Sequence, residues 1–187
     1  YLGVYYLPVK VQKEKLSDPR VRRAMSLVID REFLAEEIWQ GTMVPGYSMV
    51  PEGISNYDNP VFLDFKDKDI LDREDEARAL LAEAGFDESN PLTVELRYNT
   101  SENNKNTMTA VAEMLRSIGI ESTIFEMEGT GYFDYLKQDG DFDIARAGWI
   151  GDYNDPQNFL FLYESDNLGF NYPRWSNAEY DSLMQQA

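Results

Sequence analysis

The chain has 187 residues, 43% of them apolar and 13% aromatic, enough to build a real core and too apolar for wholesale disorder. Thirty-four acidic residues oppose seventeen Lys and Arg, a formal net charge of −17; this excludes the basic footprint that nucleic acid or an anionic membrane requires. With no cysteine and no histidine, the chain cannot itself supply Ser–His or Cys–His nucleophilic pairs, imidazole bases or His-ligated zinc. No apolar run approaches the ~20 residues that span a bilayer. The opening Tyr1-Leu2-Gly3-Val4-Tyr5-Tyr6 lacks the sections of a signal peptide and reads as a strand already under way. The stretch Ser176 to Ala187 reads as a helix stopped in mid-course, so the whole is expected to be one lobe excised from a larger protein.

Residues 1–11, rich in Val, Leu and Tyr, predict a buried strand. Ser17 or Asp18 then caps a helix with Pro19 at its first position, where a missing N–H costs nothing. Val21, Ala24, Met25, Val28 and Ile29 give that helix one apolar face. Asp30 is expected to cap a second helix through Trp39, ended by Gly41. Between Thr42 and Asp72 periodicity disappears among Pro45, Gly46, Pro51, Gly53 and Pro60, a long connection that Tyr47, Met49, Val50, Ile54 and Tyr57 should pack down. A helix from Arg73 to Ala84, a stop at Gly85 and a strand from Leu92 to Tyr98 follow. The same order then recurs as a helix from Asn104 to Ile118, Gly119 and a strand from Ile120 to Met127. Repeated helix–strand units predict an α/β fold, a mixed β-sheet flanked by helices around one core. Tyr132 to Lys137 predicts a short helix, Phe142 to Trp149 a further strand, and Asp155-Pro156 opens a helix through Tyr163.

The segment Phe142-Asp143-Ile144-Ala145-Arg146-Ala147-Gly148-Trp149-Ile150-Gly151-Asp152 is the most informative. It is a strand running into a glycine turn and then an acid, and ligands of open α/β sheets sit beyond the carboxyl ends of strands. Gly148 leaves room for another backbone at the strand edge, and Trp149 supplies a large flat wall. A free strand edge can pair with any peptide main chain, and a fixed carboxylate can hold an α-ammonium by charge-assisted hydrogen bonds.

Four stretches of the chain resemble the substrate-binding proteins of peptide-import ABC transporters, the oligopeptide and dipeptide receptors. They are Asp18-Pro19-Arg20-Val21-Arg22-Arg23-Ala24 with Ile29-Asp30-Arg31; Gly41 to Pro51; Phe142 to Leu160; and Tyr172 to Leu183. The resemblance implies a distal lobe of a two-lobed periplasmic-binding-protein fold that clamps short peptides for the transporter's permease subunits. It implies no enzymatic activity, no cofactor and a periplasmic or extracytoplasmic location, with a lipid anchor open for the full-length protein. By position, it assigns Asp152 to the ligand's amino group, the main chain of Gly148 and Ile150 to peptide pairing, and Arg146 to the binding chamber. Asn104 falls where some relatives present a side chain to the ligand's far end, although a histidine stands there in some of them. Gly129-Thr130 replaces a common Glu-Trp and removes an aromatic wall.

Each of these residues also has a plainer reading. Asp152 sits among turn formers and would serve as a turn or cap, as Asp155 is expected to do. Trp149 suits the core as well as a pocket wall, and Arg146 could balance acids such as Asp143. Arg20, Arg22 and Arg23 read as a solvated face or an ion-pair cluster. Asp64, Asp67, Asp69 and Asp72, and also Asp139, Asp141 and Asp143, read as solvated turns, since they lack the spacing of a calcium loop. The same family tuned to a dipeptide, a cell-wall peptide, an oligosaccharide or a metal chelate is the rival function, and a carboxylate-dependent hydrolase is a more distant one.

Overall fold

A computed structural model describes residues 2–187. Strand β1 (Gly3–Tyr6) leads into a helical layer of α1 (Glu14–Ser17), α2 (Pro19–Val28) and α3 (Arg31–Phe33). The Asp18 carboxylate accepts from the Arg20 N–H at 2.8 Å and Asp30 accepts from Phe33 at 2.9 Å, so both predicted caps close their helices. After α3 the chain widens into a π-helical turn over Leu34–Ile38, where a regular helix to Trp39 was expected. Connection 42–69 is irregular but packed, with Tyr47, Val50 and Ile54 buried.

Asp69 caps α4 (Ile70–Glu83), three residues before the predicted start. Strand β2 (Thr93–Asn99), α5 (Glu102–Ser117) and β3 (Glu121–Met127) then form a strand–helix–strand unit. Gly85 and Gly119, at φ +91° and +84°, follow the two helices in the left-handed region that only glycine enters without strain. Helix α6 (Gly129–Lys137) precedes β4 (Ile144–Ala145) and β5 (Ala147–Ile150). The chain closes with α7 (Gln157–Leu160), a 3-10 turn over Phe161–Tyr163 and α8 (Ala178–Gln186).

The strand expected over Phe142 to Trp149 is two strands in two sheets. β4 joins a parallel sheet in the order β3-β2-β4, whereas β5 pairs antiparallel with β1. Strand directions are therefore mixed, as the α/β reading requires. One ribbon nevertheless spans both sheets. Segment 2–10 runs antiparallel to segment 143–151 in unbroken register: Lys10 donates to the Asp143 carbonyl (2.9 Å), Val9 bridges Ile144, and Ala145 donates to Pro8 (3.0 Å). Tyr6 then pairs with Ala147 and Val4 with Trp149, and Gly151 donates to Leu2 at 2.9 Å.

Arg146 lies at the seam between the two sheets. Its N–H donates to the Arg97 carbonyl of β2 (2.8 Å) and to the buried Tyr132 hydroxyl (2.8 Å). That hydroxyl lies 2.7 Å from the Arg146 carbonyl and 3.1 Å from the Arg97 carbonyl, either of which it can donate to.

The single core expected from the sequence is three clusters. The largest gathers the buried faces of α2, α4, α5 and β2, among them Leu27, Leu81, Leu96 and Met108. A second surrounds Tyr132, Leu136 and Phe142, and a third, of Val50, Ile54 and Phe159, lies beneath Trp149.

The expectation of solvated turns fails at Asp143. This side chain is only 6% exposed and meets Lys13 Nζ at 2.8 Å and Lys15 Nζ at 2.7 Å. It also accepts from the Glu95 N–H at 2.8 Å, so one carboxylate ties the chain before α2 to β2 and β4. Asp139 pairs with Lys10 and Arg174, and Asp141 with Lys13. Of the arginines, Arg23 bridges Asp64 and Glu76 while Arg20 holds Asp18.

Burial alone pushes the Asp143 carboxyl up, but the two lysines and the Glu95 N–H outweigh it and hold Asp143 below the ordinary carboxylate range. Its contribution to stability is therefore complete above the unfolded value of ~3.9 and is lost as pH falls through the lower folded value. We expect Asp143→Ala to cost about 3 kcal/mol at neutral pH, the low end for breaking a buried pair because the lysines are partly solvated. Urea denaturation across pH should also show a shallower acid limb in the variant; a change under 0.5 kcal/mol would contradict the role. Tyr132→Phe removes the hydroxyl at the seam and should cost ~1–3 kcal/mol by the same measurement.

Candidate functional site

The seam determines what β5 can offer. In an antiparallel pair, alternate residues turn their N–H and C=O groups toward the partner and the others turn theirs away. Leu2, Val4, Tyr6 and Pro8 face Gly151, Trp149, Ala147 and Ala145. The intervening Ile144, Arg146, Gly148 and Ile150 therefore face outward. For Ile144 and Arg146 the outward neighbour is β2. Strand β2 pairs no farther along the ribbon, so Gly148 and Ile150 present their main chain on an edge that no other strand occupies among the described residues.

This edge borders a cleft of about 1190 Å³ lined by β1, β5, the N-terminal part of α3 and the 42–52 connection. Gly148, Trp149, Ile150 and Arg146 line it. Its walls are mostly apolar, including Val4, Trp39, Met43, Met49 and Val50. Its charged lining is Arg22, Arg31, Lys66 and Arg146 against Glu32 and Glu52, a basic excess within an acidic chain. Glu32 is further occupied, both carboxylate oxygens lying within 2.9 Å of the Tyr47 hydroxyl.

Arg146 does not neutralise Asp143, which is already held by Lys13 and Lys15. Its guanidinium lies over the Tyr5 ring, 4.9 Å from the centroid, and makes one long bond from Nη1 to Asn99 Oδ1 at 3.4 Å. Its Nε is buried with no partner. A guanidinium stacked on an aromatic face with donors to spare is suited to a carboxylate. A Cβ at Gly148 would come within 3.2 Å of Nη2, so that glycine also gives the guanidinium its space.

Asn104 does not line the cleft. It is buried, donates to the Asn99 carbonyl at 3.0 Å and accepts from the Tyr5 hydroxyl at 3.2 Å, so it stands behind the two residues that flank Arg146. Trp149 does both things the sequence left open. Its ring packs edge-on against Phe161 and Phe170 at 5.4 and 5.1 Å, while the same residue lines the cleft.

Asp152 follows directly after the open edge. Its N–H donates to Asn158 Oδ1 at 2.9 Å, and its side chain is exposed, with no hydrogen bond or ion pair among the described residues. Asp155 caps the next turn through Gln157 (2.9 Å), and Asn154 accepts from Ser55 at 2.8 Å. The expected cap role thus fits Asp155, and the Asp152 carboxylate caps nothing.

Tyr5, Asn99, Tyr132 and Asn158 were not singled out from the sequence. Tyr5 and Tyr132 gave no signal beyond apolar patterning, and the two asparagines occur in turn-like contexts where their partners are invisible.

Known proteins share this fold. The model of the bacterial extracellular solute-binding proteins, family 5, middle part, matches residues 1–170. The periplasmic murein peptide-binding protein of Escherichia coli is 35% identical over the whole of this chain. The periplasmic oligopeptide-binding protein of Salmonella typhimurium is 35% identical over 98% of it. In both cases the chain spans 34% of the relative's length. Among solved structures, the E. coli murein tripeptide binding protein superposes with a TM-score of 0.93 at 34% identity, covering 99% of this chain and 36% of that one. The Haemophilus influenzae oligopeptide-binding protein in complex with the peptide RPPGFSPFR gives 0.93 at 30% identity with the same coverage. The peptide-receptor resemblance carried by the sequence stretches thus holds, and the chain belongs to the bacterial extracellular solute-binding proteins of family 5.

Proposed function

We propose that the full-length protein is the solute-binding component of an ABC-type importer that captures short peptides, and that this chain is one of its two lobes. The observation that carries the reading is the open edge of β5, flanked by the Asp152 carboxylate and the Arg146 guanidinium, neither of which has an ion-pair partner among the described residues. A peptide main chain can pair with Gly148 and Ile150 whatever its side chains. Its α-ammonium would meet Asp152, and a carboxylate farther along would meet Arg146, with Asn104 and Asn99 as support.

The ligand would be buried when a second lobe, supplied by the same polypeptide, closes over it. Closure would present the receptor to the permease subunits, a hinge motion without chemistry. The named relatives are periplasmic, which favours a periplasmic or extracytoplasmic location here. They are solute-binding proteins, which supports a binding role over an enzymatic one.

A second reading keeps the receptor and changes the solute. An E. coli relative 34% identical over this whole chain is named a probable deoxycholate-binding periplasmic protein. Such a ligand has a carboxylate for Arg146 and no amine for Asp152, so the acid separates the two readings.

In the full-length receptor, Asp152→Ala should weaken trialanine binding by roughly a hundredfold or more, the scale for losing one partner of a desolvated charge pair. Propionyl-dialanine, which lacks only the amine, should bind the variant at least as well as wild type, where it leaves the Asp152 carboxylate without a partner. Unchanged trialanine affinity by calorimetry would remove Asp152 from the site.

A further inference from the structure

We infer that Asn158 is a positioning residue for ligand capture: one carboxamide oxygen fixes both the Asp152 turn and the Trp149 wall. The inference rests on the peptide-receptor reading and adds to it a residue outside the strand edge.

The side chain of Asn158 is buried, the residue being 3% exposed, at the second position of α7. Its Oδ1 accepts from the Trp149 indole Nε1 at 3.1 Å and from the Asp152 N–H at 2.9 Å. Both partners are obligate donors, so the atom between them must be the carbonyl oxygen and not the amide nitrogen. That identity follows from chemistry alone.

The oxygen reaches its place because Gly151 has no side chain. A Cβ there would stand 3.3 Å from Oδ1 and 3.0 Å from the Phe159 ring. Asn158 is in turn held from below: its N–H donates to the Asp155 carbonyl at 3.1 Å, and the neighbouring Phe159 is fully buried. The Asp152 carboxylate is exposed and makes no hydrogen bond or ion pair among the described residues. The turn geometry that aims this carboxylate is therefore set through its backbone N–H. The same oxygen fixes the rotamer of Trp149, coupling the aromatic wall to the acid.

A residue of this kind acts only through Asp152 and Trp149, and that separates positioning from general support. In the full-length receptor, Asn158→Ala should lower trialanine affinity about tenfold more than propionyl-dialanine affinity, the excess being the share carried through Asp152 and equivalent to one well-made hydrogen bond. Any loss common to both probes is the share carried through Trp149. In an Asp152→Ala background the same substitution should have no further effect on the ratio of the two probes. Asn158→Asp, which keeps an acceptor oxygen at the same place, should restore most of the trialanine affinity. The Trp149 indole N–H resonance should shift in the alanine variant and return toward its wild-type position in the aspartate variant. Asn158→Ser, too short to reach both donors, substitutes for the alanine variant should that one fail to fold.

Equal loss for both probes, or a change in their ratio that persists without Asp152, would overturn the positioning of Asp152 while leaving the peptide reading intact. A wild-type receptor that binds the two probes equally would instead overturn the amine-capture reading, and this inference with it.

Discussion

The structure depends on one ribbon, the antiparallel pairing of segment 2–10 with segment 143–151. Its register is continuous, but what lies on its outer side changes at Arg146. Before the seam β2 takes up the outward-facing groups, and after it no strand among the described residues does. An unpaired edge is ordinarily a liability that proteins blunt or cover. Here it opens onto a cleft and ends in a free acid, which is how a scaffold would present it to a ligand. The Tyr132 hydroxyl, placed against the backbone of both Arg97 and Arg146, is what allows the strands to part without stranding buried polar groups.

Electrostatics divides the molecule in a similar way. The chain carries a formal charge of −17, yet the acids nearest the ribbon are committed to lysine and arginine partners: Asp143 to Lys13 and Lys15, Asp139 to Lys10 and Arg174. The cleft lining is basic on balance, and Asp152 stands just beyond it as an unengaged carboxylate. On the proposed reading, a zwitterionic ligand would find opposite charges at the two ends of one strand. The bulk acidity serves solubility and says little about the partner.

Much of this was legible in the sequence, where the signal is local. The Asp18 and Asp30 caps, the apolar face of α2 and the two helix–glycine–strand units follow from rules that act within a few residues. The division of residues 142–150 into two strands was not legible, because it depends on which strand lies alongside. Asp143 was misread for the same reason. Its lysine partners lie 130 and 128 residues away, and an Asp-rich turn looks solvated until they arrive. For the site, the strand-to-acid pattern pointed to Asp152, Gly148 and Trp149, and the resemblance added Ile150, Arg146 and Asn104. Asn158 had a faint signal at most, an amide beside a buried phenylalanine just after a proline-started turn.

The account stands on the claim that this cleft evolved to hold a peptide by its ends. Native mass spectrometry of the full-length receptor, purified without denaturation and then stripped of whatever it carries, tests that claim most directly. A ladder of short peptides released from the protein is the result the account predicts. A steroid acid, a sugar, a metal chelate or an empty receptor would contradict it, and would keep the fold while moving the function to another solute.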